Sequence, residues 1–169
     1  YFARLDLNGT VVWTTSWGNP GNDAGEAIVS TSASTFVMAG HCGACGEYDH
    51  TEDRYKSHMY AIGIDLNGDT TWTAVIGDTL FDRKAFAVDV TTGGDLLIGG
   101  ERQDLSLVDA DVFRTNDSGQ PMWEKAYDAA PWDRVLDLRA LSDGFVAIGW
   151  SYGAFSRQVL MVRKDQNGE

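Results

Sequence analysis

The side chains best suited to chemistry crowd into one stretch. Both cysteines and all three histidines of the chain, His41, Cys42, Cys45, His50 and His58, fall within residues 41–58. Thiolate and imidazole together suit tetrahedral zinc, with His41, Cys42, Cys45 and either His50 or His58 as ligands. Glu47, Asp49, Glu52 and Asp53 in the same stretch would instead suit calcium through oxygen. Other readings stay open: a solvated loop, a binding epitope, two free thiols, or a C-G-A-C disulfide of the kind oxidising compartments favour. A zinc ribbon would carry two C-x-x-C knuckles, and one is present. No G-x-S-x-G, H-E-x-x-H or phosphate loop occurs. The expectation is therefore no catalytic activity, with a structural zinc or calcium in loop 41–58 as the candidate cofactor.

The elements that position this loop are repeats. Asp65-Leu66-Asn67-Gly68 runs four residues on to Trp72, Asp6-Leu7-Asn8-Gly9 does the same to Trp13, and Asn116-Asp117-Ser118-Gly119 to Trp123, with Asp165-Gln166-Asn167-Gly168 closing the series. From glycine to glycine the intervals are 59, 51 and 49 residues. A phrase returning at such spacing marks an array of supersecondary units. D-x-N-G is turn chemistry, because glycine reaches positive φ and the Asp or Asn side chain folds onto nearby amides. Ten residues beyond each tryptophan come Asp23, Asp82 and Asp133. Each opens a second strand, near 26–31, 84–90 and 134–140. A third strand follows as an apolar run ending on glycine at 35–40, 95–100 and 144–149, which suits burial on both faces. A fourth, at 59–64, 111–115 and 160–164, returns to the turn. Unit one spends 28 residues from Gly40 to Gly68 where the others use 19, so the histidine and cysteine loop is an insertion of nine.

Composition narrows the function. With 13 basic and 25 acidic residues the net charge is −12, which opposes nucleic acid and anionic lipid. No apolar run of membrane-spanning length exists. The chain begins at Tyr1 inside a repeat, and the expectation is a fragment or processed product of something longer.

By the D-x-N-G-x-x-x-W phrase, the aspartate ten residues on and the apolar run ending in glycine, the chain resembles the secreted or surface β-propeller repeats of bacteria and archaea, in the style of quinoprotein-like blades. Sialidase Asp-boxes place the tryptophan three residues after glycine, and here it is four. The resemblance implies an all-β propeller segment of three four-stranded antiparallel blades, at 10–65, 69–116 and 120–165, with strand 1–5 belonging to a neighbouring blade. A sandwich or solenoid is the competing architecture. Trp13, Trp72 and Trp123 would be wedges between blades, each burial being worth about 3–5 kcal/mol. Asp23, Asp82 and Asp133 would bond loop amides, since a catalytic acid is needed once and these recur. Arg4, Arg114 and Arg163, two residues before the turn, would pair across blades or lie on a solvated face.

Three blades do not close a ring. A protein partner or further copies of the chain would complete it. The implied function is a non-catalytic binding or assembly module, secreted, surface-displayed or periplasmic. The alternatives are part of a pyrroloquinoline-quinone dehydrogenase, or a carbohydrate-binding or carbohydrate-cleaving propeller with a glycan stacked on Trp17, Trp132 or Trp150.

Overall fold

A computed structural model describes residues 1–45, 48–50, 53–104, 106–153 and 156–169, with Asp49 and Arg54 described by backbone alone. The D-x-N-G phrase folds as its chemistry requires. Asp6, Asp65, Asn116 and Asp165 each accept, on one side-chain oxygen, the amides two and four residues on, at 2.8–3.0 Å. These bonds hold the Asp6, Asp65 and Asp165 carboxyls below the usual range. Gly9, Gly68, Gly119 and Gly168 follow at φ 83°, 87°, 78° and 78°.

So tight a turn makes a hairpin, and the strand after it pairs with the strand before it. β1 (Phe2–Leu5) pairs with β2 (Val11–Thr15). β3 (Ala24–Ser30), β4 (Thr35–Cys42), β7 (His58–Asp65) and β8 (Thr70–Ile76) form a four-stranded sheet in that order. Between β4 and β7 lies a two-residue-strand hairpin, β5 (Tyr48–Asp49) and β6 (Arg54–Tyr55). β9 (Asp82–Val90), β10 (Leu96–Asp104), β11 (Leu107–Thr115) and β12 (Pro121–Tyr127) are followed by β13 (Trp132–Leu141), β14 (Gly144–Tyr152) and β15 (Arg157–Asp165), all in one seven-stranded sheet. Its two parts, β9–β12 and β13–β15, are joined by a single parallel bridge, Val108 to Trp132. Every other strand pair is antiparallel. No helix occurs among the described residues.

The chain is all-β, but the sheets have two, four and seven strands and do not close into a ring. The expected blade boundaries are also out of phase by one strand. The cause is the hairpin: residues 10–15, 69–76 and 120–127 belong with the strand ahead of the turn, not with the sheet that follows.

The sheets stack face to face. Phe2, Trp13 and Trp17 cover Met38, Tyr60, Ile62 and Ile64 on one side of the four-stranded sheet. On its other side Val37, Ala39, Met59 and Ala61 pack with Ala85, Val88 and Ile98 of β9–β10. The opposite face of β9–β11, with Ala87, Ala110 and Val112, packs with Val135, Leu138 and Phe145 of β13–β14. The apolar runs are thus buried from both sides in the first two sheets.

Candidate functional site

The three repeat tryptophans do the same job. Trp13 lies against Gly68, Trp72 against Gly119 and Trp123 against Gly168, each touching the turn of the next unit. Trp13 Nε1 donates to Leu66 O at 2.8 Å and Arg4 Nη1 to the same oxygen at 2.8 Å. Trp123 Nε1 and Arg114 Nη1 share Gln166 O at 3.2 and 2.9 Å. Each arginine is the cross-strand partner of its tryptophan, and the corresponding partner of Trp72 is Gly63. A Cβ at Gly63 would collide with the Trp72 indole. Arg163 bonds the exposed Asp143 at 2.9 Å.

The repeat aspartates accept loop donors. Asp23 takes the amides of Asn19 (2.6 Å) and Gly43 (3.0 Å), Asp82 the amide and hydroxyl of Ser57 (2.8 and 3.1 Å), and Asp133 the amides of Ala129 and Ala130 (2.6 and 2.8 Å). They are not all equivalent, however. Strand register aligns Gly25, Ala85 and Val135 opposite Gly40, Gly100 and Gly149. Two residues before these stand Asp23, Arg83 and Asp133, so Arg83, not Asp82, fills the slot in the middle unit.

Arg83 is fully buried. Its guanidinium donates to Asp111 at 3.2 Å, Glu124 at 2.8 Å and Asp78 at 2.8 Å, and lies 5.0 Å from the Phe81 ring centroid. Burial first, and the Glu124 charge second, push the Asp111 carboxyl up to about 7 against the pull of Arg83 and Arg102. Nearby His58 is 1% exposed with neither ring nitrogen hydrogen-bonded. Burial, then the Arg83 charge, lowers its pKa and keeps it neutral.

The inserted loop forms a wall of an open cleft of about 710 Å³, lined by His41, Gly43, Tyr48, Tyr55, Ser57 and Lys84 among others. Cys42 and Cys45 are joined as a disulfide, and Asn19 Nδ2 donates to both sulfurs at 2.8 and 3.2 Å. With the Asp23 to Gly43 bond, this fixes the turn that borders the cleft. Tyr48 and Tyr55 meet edge to face at 5.1 Å, His50 packs on Tyr48 at 5.0 Å, and the Tyr48 hydroxyl donates to Asp53.

The proposed metal ligands are not brought together. Successive residues of a strand face opposite ways, so His41 points to the cleft while Cys42 lies in the Tyr60 cluster. A disulfide offers no thiolate, and His50 is exposed. Among the described residues no group of three His, Cys, Asp or Glu side chains is placed to hold a metal. This arrangement does not fit zinc. Of the calcium candidates, Glu47 and Glu52 lie outside the described residues, as does the Asp49 side chain.

The junctions on either side of β9–β12 differ in one respect. By register Lys84 corresponds to Arg134, and His41 to Glu101. At the junction with β13–β15, Arg134 Nε sits 2.6 Å from a Glu101 that is 4% exposed. At the other junction Lys84 faces His41 instead, and among the described residues it has no ion pair. Burial first, then the Lys84 charge, lowers the His41 pKa, and an imidazole in either state offers a lysine no counter-charge; the nearby carboxylates are Glu26, 3.9 Å from His41, and Glu101, the cross-strand partner of Lys84. The chain matches no protein-family model and no curated protein. Sequence reading missed Lys84 and Glu101, and the signal that finds them is strand register, which becomes visible once the Gly40, Gly100 and Gly149 positions are aligned.

The carbohydrate candidates separate too. Trp17 stacks on the buried Tyr60 at 4.0 Å. Trp150 lies between Arg134 and Arg157, 5.1 and 4.6 Å from its centroid. Trp132, 48% exposed, stacks on Tyr152 at 5.7 Å and donates to Ser106 O.

Proposed function

We propose that the chain is a non-catalytic binding module of the β-propeller-repeat kind, secreted or surface-displayed, whose cleft beside the disulfide turn takes a ligand bearing a carboxylate. The observation that carries this reading is Lys84. The same position in the next unit is ion-paired to a buried glutamate; here Lys84 forms no ion pair among the described residues and opens onto a cleft shared with His41, whose lining carboxylate Asp53 accepts the Tyr48 hydroxyl. Tyr48 and Tyr55 offer aromatic surface beside it, the mix of apolar wall and few polar groups that ligand sites share. The propeller arrangement is supported by the docking of each repeat tryptophan on the following turn. An oxidising location is supported by the disulfide.

The test is calorimetric titration with glucuronate and galacturonate against neutral glucose and galactose. The acidic sugars are expected to bind and the neutral ones not, and Lys84→Met should weaken binding by about tenfold, the worth of one charge-assisted hydrogen bond. Equal binding by the Lys84→Met protein, or no acidic sugar bound by the native one, would sink the reading. A second site for neutral glycans is favoured by the exposed Trp132 on Tyr152. Glycan-array binding lost in Trp132→Ala but kept in Lys84→Met would place recognition there.

A further inference from the structure

The cleft that holds Lys84 carries a second chemistry, supplied by the inserted hairpin. Tyr48 of β5 and Tyr55 of β6 are cross-strand partners, so both rings stand on one face of the ribbon, edge to face with centroids 5.1 Å apart. Both line the cleft at 37% and 51% exposure, which leaves ring surface for a guest. Between the two strands Asp53 takes φ 53°, the only left-handed non-glycine residue among those described. Aspartate tolerates that region because its short side chain can bond locally. Here it accepts the Tyr48 hydroxyl on Oδ1, and Oδ2 has no partner among the described residues. A carboxylate is thereby fixed beside the tyrosine pair, in the lining of the same cleft.

Two aromatic rings with a carboxylate beside them attract one kind of guest. Ring faces are negative, and an organic ammonium is drawn to them. A hard metal ion instead needs several oxygen ligands, and no such group is placed to hold one among the described residues. Lys84 could have cancelled Asp53 and does not: both line the cleft, yet neither has an ion pair among the described residues. Their supports are separate. Lys84 stands in β9, while the hairpin is braced by Lys56 Nζ on Leu80 O at 2.8 Å and by Ser57 on Asp82. One cleft thus holds a positive and a negative group, neither quenched by the other. A purely anionic guest at Lys84 leaves Asp53 unanswered and is repelled by it, whereas a guest carrying both charges answers both.

We infer that the cleft takes a zwitterion, with an organic ammonium seated on Tyr48 and Tyr55 beside the Asp53 carboxylate and a carboxylate of the same molecule at Lys84. The chemical class is the amino carboxylates, their N-methylated betaines above all, because methyl groups spread the charge over a surface that a tyrosine ring covers. The carboxylate half rests on the Lys84 reading; the cationic half stands on the hairpin alone. The insertion of nine residues brings the two tyrosines and the acid together in unit one.

Calorimetric titration with chain-matched probes tests it: γ-butyrobetaine, butanoate and butyltrimethylammonium. The zwitterion is expected to bind about tenfold more tightly than either singly charged probe. Tyr55→Leu and Asp53→Asn should each weaken the zwitterion by about three- to tenfold and leave butanoate unchanged. Tyr55→Phe, which keeps the ring, should bind as the native chain does. Lys84→Met should weaken the zwitterion and butanoate and leave butyltrimethylammonium unchanged. Tyr55 and Asp53 are exposed, and asparagine also tolerates the left-handed turn, so these variants should melt where the native protein melts. A zwitterion bound no more tightly than butanoate, with butanoate lost in Lys84→Met, overturns this inference and keeps the Lys84 reading. Butyltrimethylammonium bound through Tyr55, with no probe affected by Lys84→Met, overturns both.

Discussion

The strands β9–β12 and β13–β15 share register, bulge position and hairpin, yet their fates in water differ. Val112 and Ala110 in the first group are sealed, and Met161 and Val159 in the second stand open. The local sequence is equally apolar in both. What separates them is the neighbour: a strand's pairing is settled by its own turn and its burial by the next sheet. The two groups differ inside as well, since one keeps an aspartate in the slot before its inner strand and the other an arginine ringed by carboxylates.

The largest effect should come from that slot. Arg83→Met leaves Asp111 and Glu124 without their buried counter-charge and is expected to cost about 3–5 kcal/mol. At about 2–4 °C per kcal/mol for a chain of this size, that is a melting point lower by roughly 10 °C. Asp133→Asn, which keeps a carbonyl oxygen for Ala129 and Ala130, should cost about 1 kcal/mol. Similar melting points for the two variants would erase the contrast between the slots.

The faces give the next comparison. Val112→Lys places an unpaired charge in the seam and should destabilise by about 3 kcal/mol, whereas Met161→Lys in dilute solution should lie within about 0.5 kcal/mol of the native protein. Urea unfolding of both checks this. A Met161→Lys loss as large as that of Val112→Lys, at concentrations where the chain is monomeric, would mean the open face is already covered within one copy.

The smallest effect concerns His58, at the other margin of β9–β12. Burial lowers its pKa from 6.5, so below that value the unfolded chain binds the proton that the folded one refuses. Its contribution is therefore lost as pH falls below 6.5. His58→Phe should show a shallower decline than the native protein in that window, measured as the difference between their unfolding free energies. Asp111 runs the other way: with a folded pKa of about 7, it binds protons in the folded state between pH 3.8 and 7, and its contribution falls as pH rises through that range. His58→Phe leaves that opposite slope in place, so the difference isolates the imidazole.

Much of the architecture was legible because it is local. D-x-N-G announces its turn through side-chain bonds that span four residues, and the apolar runs at 35–40, 95–100 and 144–149 are strands in the fold. Trp13, Trp72 and Trp123 each lie near the glycine of the following turn. The phase was misread because the sequence does not say on which side of a turn a strand will find its sheet. Asp82 was grouped with Asp23 and Asp133 by counting from tryptophan, and one extra residue in the loop ahead of β9 moves Arg83 into that slot. No spacing rule reveals this, since it takes the pairing of Ala85 with Gly100 to expose it. In the cleft the histidines and cysteines drew attention by their chemistry, while Lys84 was silent. Its significance rests on Glu101 being buried against Arg134 in another unit.

Gly63 makes the three seams mechanically unlike. Where Arg4 and Arg114 stand, a tryptophan and an arginine grip one carbonyl together. Over Gly63 the Trp72 indole lies flat, and among the described residues no side-chain hydrogen bond fastens it to the turn at 116–119. Two seams are bolted at the tryptophan and the middle one is not, so strain applied there passes to the apolar packing and to the Ser57 donors on Asp82.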